Sequence, residues 1–392
     1  MAARLYFDWN ATAPLRPEAR TAMIDALEAV GNPSSVHAEG RSARHLVEDA
    51  REKVAALFGA KQANVTFTSG GSEANALALG PMIHTPQTGE PRDRLLVSAI
   101  EHPSVLAGGR FPADAIEQIP VDADGRVSLK ALEDRLAALA AANGAARPLV
   151  SIMVANNETG VLQPISQAAE IVHQFGGVLH ADAVQSAGRI PCEIEALGAD
   201  FLTVSAHKIG GPKGAGALIR REGYFAQPMV RGGGQERSQR AGTENVAAIA
   251  GFGAAAQAAL RNLRSEHART LTLRTRFEAG LRAICPQAII VGAEVERLPN
   301  TTLFTVDGIK AETAVIALDL AGFAVSSGAA CSSGKVQASH VLAAMGLKPS
   351  LVRGAIRISL GFTNTDSEVE TFLSAWKKLS ESLFEGSRGV AA

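Results

Sequence analysis

Cysteine is scarce in this chain: Cys192, Cys285 and Cys331 are the only thiols in 392 residues. They are far apart, with no CxxC pair and no metal-ligand spacing, so neither a disulfide framework nor a cysteine-built metal site is expected. A reducing cytoplasm is the expected compartment. Net charge is nearly absent, at a formal -1, so no global field draws the chain to nucleic acid or to an anionic membrane. Long apolar runs are missing as well. The most apolar tract, VAAIAGFGAAAQAAL (246–260), falls short of the ~20 residues that span a bilayer and reads as a buried helix. The opening MAARLYFDWN has no apolar h-region, so no secretory signal is expected. Aromatics are 5 % of residues, and none interleaves with Arg231, Arg237 and Arg240 in RGGGQERSQRAGTEN (231–245). That stretch reads as a loop across a subunit interface rather than a nucleic-acid contact.

What remains is ordinary globular material, 46 % hydrophobic and 20 % charged. The length fits two or three domains, or one large and one small. In RSARHLVEDAREKVAALFG, Ala43, Leu46, Val47, Ala50, Val54, Leu57 and Phe58 fall on one helical face. Strand-like runs follow at 64–69, 94–100, 148–156, 177–183, 200–206 and 216–221, with helical patterns such as ISQAAEIVHQF (165–175) between several of them. This alternation predicts an α/β fold, a mostly parallel sheet with helices on its faces. Ligands bind such sheets beyond the carboxyl ends of the strands, where Ser69, Asn156, Asp182 and Ser205 stand. Residues 245–285 read as long helices. After them comes a smaller α/β unit: TTLFTVD (301–307), a helix over 311–322, AIRISL (355–360) and a final helix over 366–385. A domain boundary is expected near 256.

Several strand-end motifs carry chemistry. In SAHKIGGPKG (205–214), Lys208 could form a Schiff base with an aldehyde cofactor or be a solvated charge. Ser205 and His207 could donate to a phosphate. In TSGGSEANALALG (68–80), Gly71 and Ser72 open a helix whose free N–H groups favour an anion, or are simply capped. The sequence is neither a Walker A loop nor GxGxxG, which disfavours a nucleotide. HADAVQ (180–185) puts His180 and Asp182 on one strand face. Asp182 could keep a pyridine nitrogen protonated or cap a turn; a metal would need a third ligand that is not nearby. His102 in EHPSV could stack on an aromatic ring or relay protons, and NNETG (156–160) offers amide donors. Arg357, central in an apolar strand, needs an anionic partner: a structural acid or a substrate carboxylate. Cys331 lies in VSSGAACSSGK (325–335), a stretch of small residues unsuited to a core.

In this order, EHPSV, NNETG, HADAVQ, SAHKIGGPKG, QERSQRAGTEN and SSGAACSSG resemble the cysteine desulfurases of the NifS/IscS family, within the class V aminotransferase group. The resemblance runs from YFDWNATAP (6–14) to RISLGFTNT (357–365). It implies the fold type I of pyridoxal phosphate (PLP) enzymes, with a large cofactor-binding domain over 15–255 and a small domain from 1–14 and 256–392. It also implies a homodimer with active sites near the interface. By the same resemblance, Lys208 carries PLP, Asp182 pairs with the pyridine nitrogen, and His102 stacks on the ring and can assist proton transfers. Gln185 faces the ring phenolic oxygen, and Asn157 faces that oxygen or the substrate. Gly71, Ser72, Ser205 and His207 bind the phosphate, joined by Thr243 from the other subunit. Arg357, helped by Asn32, binds the substrate carboxylate. Cys331 accepts sulfur from L-cysteine, leaving L-alanine, and hands it from a small-residue loop to an acceptor protein such as an iron–sulfur scaffold. No resident metal is implied, although the Cys331 persulfide could transiently ligate a cluster. CSSGKVQASHVLAAM resembles the longer-loop subgroup, which usually serves separate acceptors. Trp9 stands where the family often has Asn, Ser72 where Thr is common, and Ala329 in a loop where Ser is common. The neighbouring alternatives are a selenocysteine lyase or another class V PLP enzyme; a non-catalytic scaffold is the alternative from another class.

Overall fold

The computed structural model describes residues 4–143, 147–328 and 338–389. In chain order its strands are β1 (Leu5–Tyr6), β2 (Val65–Thr68), β3 (Ile83–His84), β4 (Arg94–Ser98), β5 (Ile116–Ile119), β6 (Pro148–Met153), β7 (Val178–Asp182), β8 (Phe201–Ser205), β9 (Gly216–Arg220), β10 (Phe225–Ala226), β11 (Ile289–Ile290), β12 (Thr301–Thr305), β13 (Phe323–Ala324), β14 (Ser326–Ser327) and β15 (Ile356–Ser359). Seven form the main sheet in the order β2-β9-β8-β7-β6-β4-β5. Only β9 runs antiparallel to its neighbours, so the sheet is mixed but mostly parallel, as the alternation predicts.

The central strands are buried along their whole length, because helices cover both faces and solvent reaches neither. Side chains alternate between two cores. Leu96, Val150, Leu179 and Leu202 point into one, against the helices Ala38–Leu57, Leu129–Asn143, Ile165–Gln174 and the start of Val246–Ile284. Leu95, Val97, Leu149, Val178 and Phe201 point into the other, against the short helix Gly71–Ala78. The edge strand β5 is not among the strand-like runs of the sequence. Its residues, IEQI, are half exposed and pair only with β4, so it lacks the largely apolar, fully buried character of the inner strands.

The long helical region is one helix, Val246–Ile284, capped by Asn245 Oδ1 accepting from the Ala248 amide at 3.1 Å. Residue 256 lies inside it. Ala248, Phe252, Ala255 and Ala259 on its first half face the main core. Leu273, Phe277 and Leu281 on its second half face a separate core with Phe7, Phe304, Phe323, Phe372 and Trp376. Gly253 permits the close helix contact in the first half: a Cβ there would lie 2.5 Å from the Ala50 Cα. The second core underlies the antiparallel sheet β11-β12-β15-β14. The N-terminal segment belongs to this region, pairing β1 with β13 and bridging Asp8 to Ser359. It then crosses to the main sheet, and that crossing places its residues 8–12 over the strand ends.

Cys192 and Cys285 are buried. Burial raises both thiols, Cys192 to about 12, which leaves them inert. Cys331, with Ala329, lies outside the described residues.

Candidate active site

At the carboxyl ends of β2, β4, β6, β7 and β8 the strands leave a cavity of about 270 Å³. Gly71, Ser72, His102, Asn157, Asp182, Gln185, Ser205, His207, Lys208 and Arg357 all line it. Thus the geometry gathers in one place residues separated by up to most of the chain. Two expected residues are not in it. Asn32 is exposed, its Oδ1 accepting from the Ser34 amide at 2.9 Å. Thr243 is exposed beside a different cavity, with Arg240 and Glu236. A single chain therefore brings neither to the site.

One end of the cavity suits an anion. The helix Gly71–Ala78 has no side-chain cap, so its first N–H groups are open. Gly71 is required for the close approach of this turn to the strand ends: a Cβ there would lie 2.9 Å from Val184 Cγ2. Ser72, Ser205 and His207 face the same opening. Burial, with Lys208 and Lys213 nearby, pulls His207 down to about 4. It is therefore a neutral hydrogen-bonding group at pH 7.

Asp182 ends β7 on the same face as His180. Its Oδ1 accepts from the Val184 amide and its Oδ2 from Asn75 Nδ2, both at 2.9 Å. Asn75 also donates to Ser104 Oγ at 2.9 Å. Ser104 in turn contacts His102 Nδ1 at 2.7 Å, and its amide donates to the same nitrogen at 3.1 Å. Nδ1 is thus an acceptor, which puts the ring proton on Nε2. Burial lowers the His102 pKa. One layer below, His180 bridges Ser151 Oγ (2.8 Å) and Thr203 Oγ1 (2.9 Å), and burial takes it down to about 4. It acts as a neutral tie between three strands. Among the described residues no group of His, Cys, Asp and Glu has metal-site geometry.

Lys208 follows β8. Its ammonium donates to the carbonyls of Asn10 and of Ala11, the latter at 2.9 Å. Arg357 is 1 % exposed. Its Nη2 meets Asp8 Oδ1 at 2.7 Å and its Nη1 donates to the Asn157 carbonyl at 2.8 Å. Asp8 is thus the anionic partner that an arginine in an apolar strand requires.

Sequence reasoning missed Asn75, Ser104 and Asn10. Asn75 has a signal: it stands three residues after Ser72 and shares its helical face. Asn10, 1 % exposed, donates to Thr301 Oγ1 (2.9 Å) and the Asn157 carbonyl (3.2 Å), and its own carbonyl accepts from Lys208 and Gln185. Only the crossing of the N-terminal segment reveals that position.

An amine, a fixed carboxylate and an anion seat around one cavity are drawn from residues 5–372 of the chain, which match the family model for class V aminotransferases. A cysteine desulfurase of Cereibacter sphaeroides is 41 % identical over 97 % of this chain and 96 % of its own. The chain is a class V aminotransferase of the cysteine desulfurase family. The solved NifS-like protein of Rickettsia africae superposes with a TM-score of 0.85 at 38 % identity, covering 96 % of this chain and 99 % of that one. SspA solved in complex with cysteine gives a TM-score of 0.75 at 28 % identity, over 91 % and 99 %. Members of this family depend on PLP, which agrees with the shape and donor set of the cavity. Among the described residues no helix is long and apolar enough to cross a membrane.

Proposed function

We propose that this chain removes sulfur from L-cysteine, leaving L-alanine and a persulfide on Cys331, for delivery to an acceptor protein. The observation that carries the reading is the convergence of Lys208, Asp182, His102 and the open helix end at Gly71 on one cavity that Arg357 also reaches. The donor set suits PLP. The uncapped helix, Ser72, Ser205 and neutral His207 match a phosphate. Asp182, whose two oxygens are already aimed by Asn75 and the Val184 amide, matches a ring N–H. Lys208 matches an aldehyde. When bound, PLP supplies an electron sink for the substrate Cα.

The chain's own groups do the rest. The Lys208 amine takes the Cα proton as general base. His102, neutral with its proton on Nε2, would stack on the ring and assist proton transfers beside it. Arg357 binds the substrate carboxylate, which must share or displace Asp8. The Cys331 sulfur attacks the substrate sulfur. An S–S bond forms as the Cβ–S bond breaks; the electron pair left on Cβ takes up the proton that the Cys331 thiol gives up, and Lys208 returns its proton to Cα, giving alanine. A second copy of the chain would supply Thr243, which is exposed here, to the phosphate end. Leu27 and Val30, 73 % and 82 % exposed, support such a homodimer. Three thiols without a disulfide framework support a cytoplasmic setting, and iron–sulfur assembly is one outlet for the sulfur.

The test is a PLP-loaded preparation given L-cysteine, with alanine and sulfide measured. Alanine is expected from the wild type and from neither C331A nor K208A. Full activity of C331A would refute a thiol acceptor and point to a lyase acting on the selenium analogue.

A further inference from the structure

Behind Lys208 lies a second, smaller cavity lined by Trp9, Arg16, Arg189, Glu266 and His267. It holds two guanidinium groups and one carboxylate. Glu266 is taken by Arg16 in a two-pronged pair at 2.8 and 2.7 Å. The hydrogen bonds of Arg189 run instead to neutral oxygens. Its Nη1 donates to the Gln185 carbonyl at 2.6 Å and to Gln185 Oε1 at 2.7 Å, and its Nη2 donates to the Trp9 carbonyl at 3.3 Å. Burial, with Arg357 nearby, pulls Arg189 down to about 9, so it is charged at pH 7.

The consequence falls on Gln185. An amide side chain can present either edge, and its orientation follows from what surrounds it. Here both neighbours agree. Arg189 can only donate, so it must face Oε1. The Asn10 carbonyl can only accept, and it takes a hydrogen from Nε2 at 3.0 Å. Flipping the amide would set two donors against each other and two acceptors against each other. We propose that Arg189 is a positioning residue: by gripping Gln185 Oε1 it leaves Gln185 only an N–H edge to present to the ring oxygen of the cofactor. This rests on the reading of Gln185 and PLP given above. A fixed donor, backed by a cation, stabilises negative charge on that oxygen. The proton shared between the oxygen and the Lys208 nitrogen is then held less tightly.

The experiment is a pH titration of the visible absorption of the PLP-loaded chain. R189M is expected to raise the midpoint by about one pH unit, a tenfold change in proton affinity. R189Q keeps polarity but can accept as well as donate, so it no longer fixes the amide and should shift the same way; it carries the test if R189M folds poorly. In a Q185A background, R189M should move the midpoint by no more than about 0.3 unit, since the route of its action is gone. A wild-type midpoint in R189M and R189Q would overturn the inference. So would a full shift in the Q185A background. Failure of the wild-type chain to take up PLP would overturn the underlying reading, and the inference with it.

Discussion

Glu158 gives the sharpest quantitative prediction. It is 3 % exposed, and its Oε2 accepts from Ser339 Oγ at 2.5 Å. Ser339 also caps the helix His340–Ala344 by accepting from the Leu342 amide at 3.1 Å. Burial raises the Glu158 carboxyl from 4.5 to about 7, against the opposing pull of Ser339 and Arg357. In the folded chain the protonated form is therefore favoured by about 3 kcal/mol relative to the unfolded chain. The sign is set by the proton count. Between pH 4.5 and 7 the folded state keeps a proton that the unfolded state has released, so stability falls as pH rises. Below the unfolded pKa the contribution is fully present, and above the folded pKa it is lost. E158Q is a neutral isostere that still accepts from Ser339. It should match the wild type near pH 4 and exceed it by up to about 3 kcal/mol near pH 8. Urea unfolding of both proteins across this range measures the difference. Glu101, fully buried and also raised, adds a slope of the same sign to both, so the comparison isolates Glu158. Parallel profiles across pH 4.5–7 would refute the reasoning.

Two further predictions concern support beneath the site. N75A removes a hydrogen bond to the Asp182 carboxyl group and another to Ser104, each worth about 1 kcal/mol or more. PLP should bind at least about tenfold more weakly by equilibrium titration, and wild-type affinity would count against the role of Asp182. R51M strips the partner from Glu236, whose two oxygens meet the Arg51 guanidinium at 2.6 and 2.8 Å with both side chains 3 % exposed. The expected cost is about 3 kcal/mol or more in urea unfolding. The double variant R51M/E236Q should recover part of it, because the charge is gone and the amide oxygen can still accept from the Phe67 backbone N–H, as the carboxylate does at 2.8 Å.

Much of this architecture is legible in the sequence because its causes are local. Each inner strand of the main sheet is a short, largely apolar run, and the helix Ala38–Leu57 carries its buried stripe at helical spacing. Lys208, Asp182, His102 and Ser205 stand out because they are reactive or polar types placed where such runs end. The parts that stay hidden act across the fold. Asn75, Ser104, Asn10 and Arg189 are ordinary types in their own segments, and each matters only through a side chain brought near by another element. Glu158 reads as part of an amide-bearing turn, and nothing in NNETG shows that Ser339 from the small sheet region will bury it. The run of positive φ at Glu236, Arg237 and Ser238 is likewise invisible, since no glycine marks it. It is held by the Arg51 pair, which joins residues 185 apart.

Trp9 shows why a departure from the family's usual residue need not disturb the site. It replaces a common Asn immediately before Asn10, where loss of a polar side chain would be expected to loosen the anchor for Lys208. Its indole instead is 3 % exposed, packed edge-on to Phe362 at 4.8 Å between ring centres. What position 9 gives the polar network is its carbonyl, which accepts from Arg189. What position 10 gives Lys208 and Gln185 is also a carbonyl. Every residue type carries that group. A side chain that packs well at position 9 therefore preserves the path of the backbone, and the path is what sets the acceptors facing Lys208, Gln185 and Arg189.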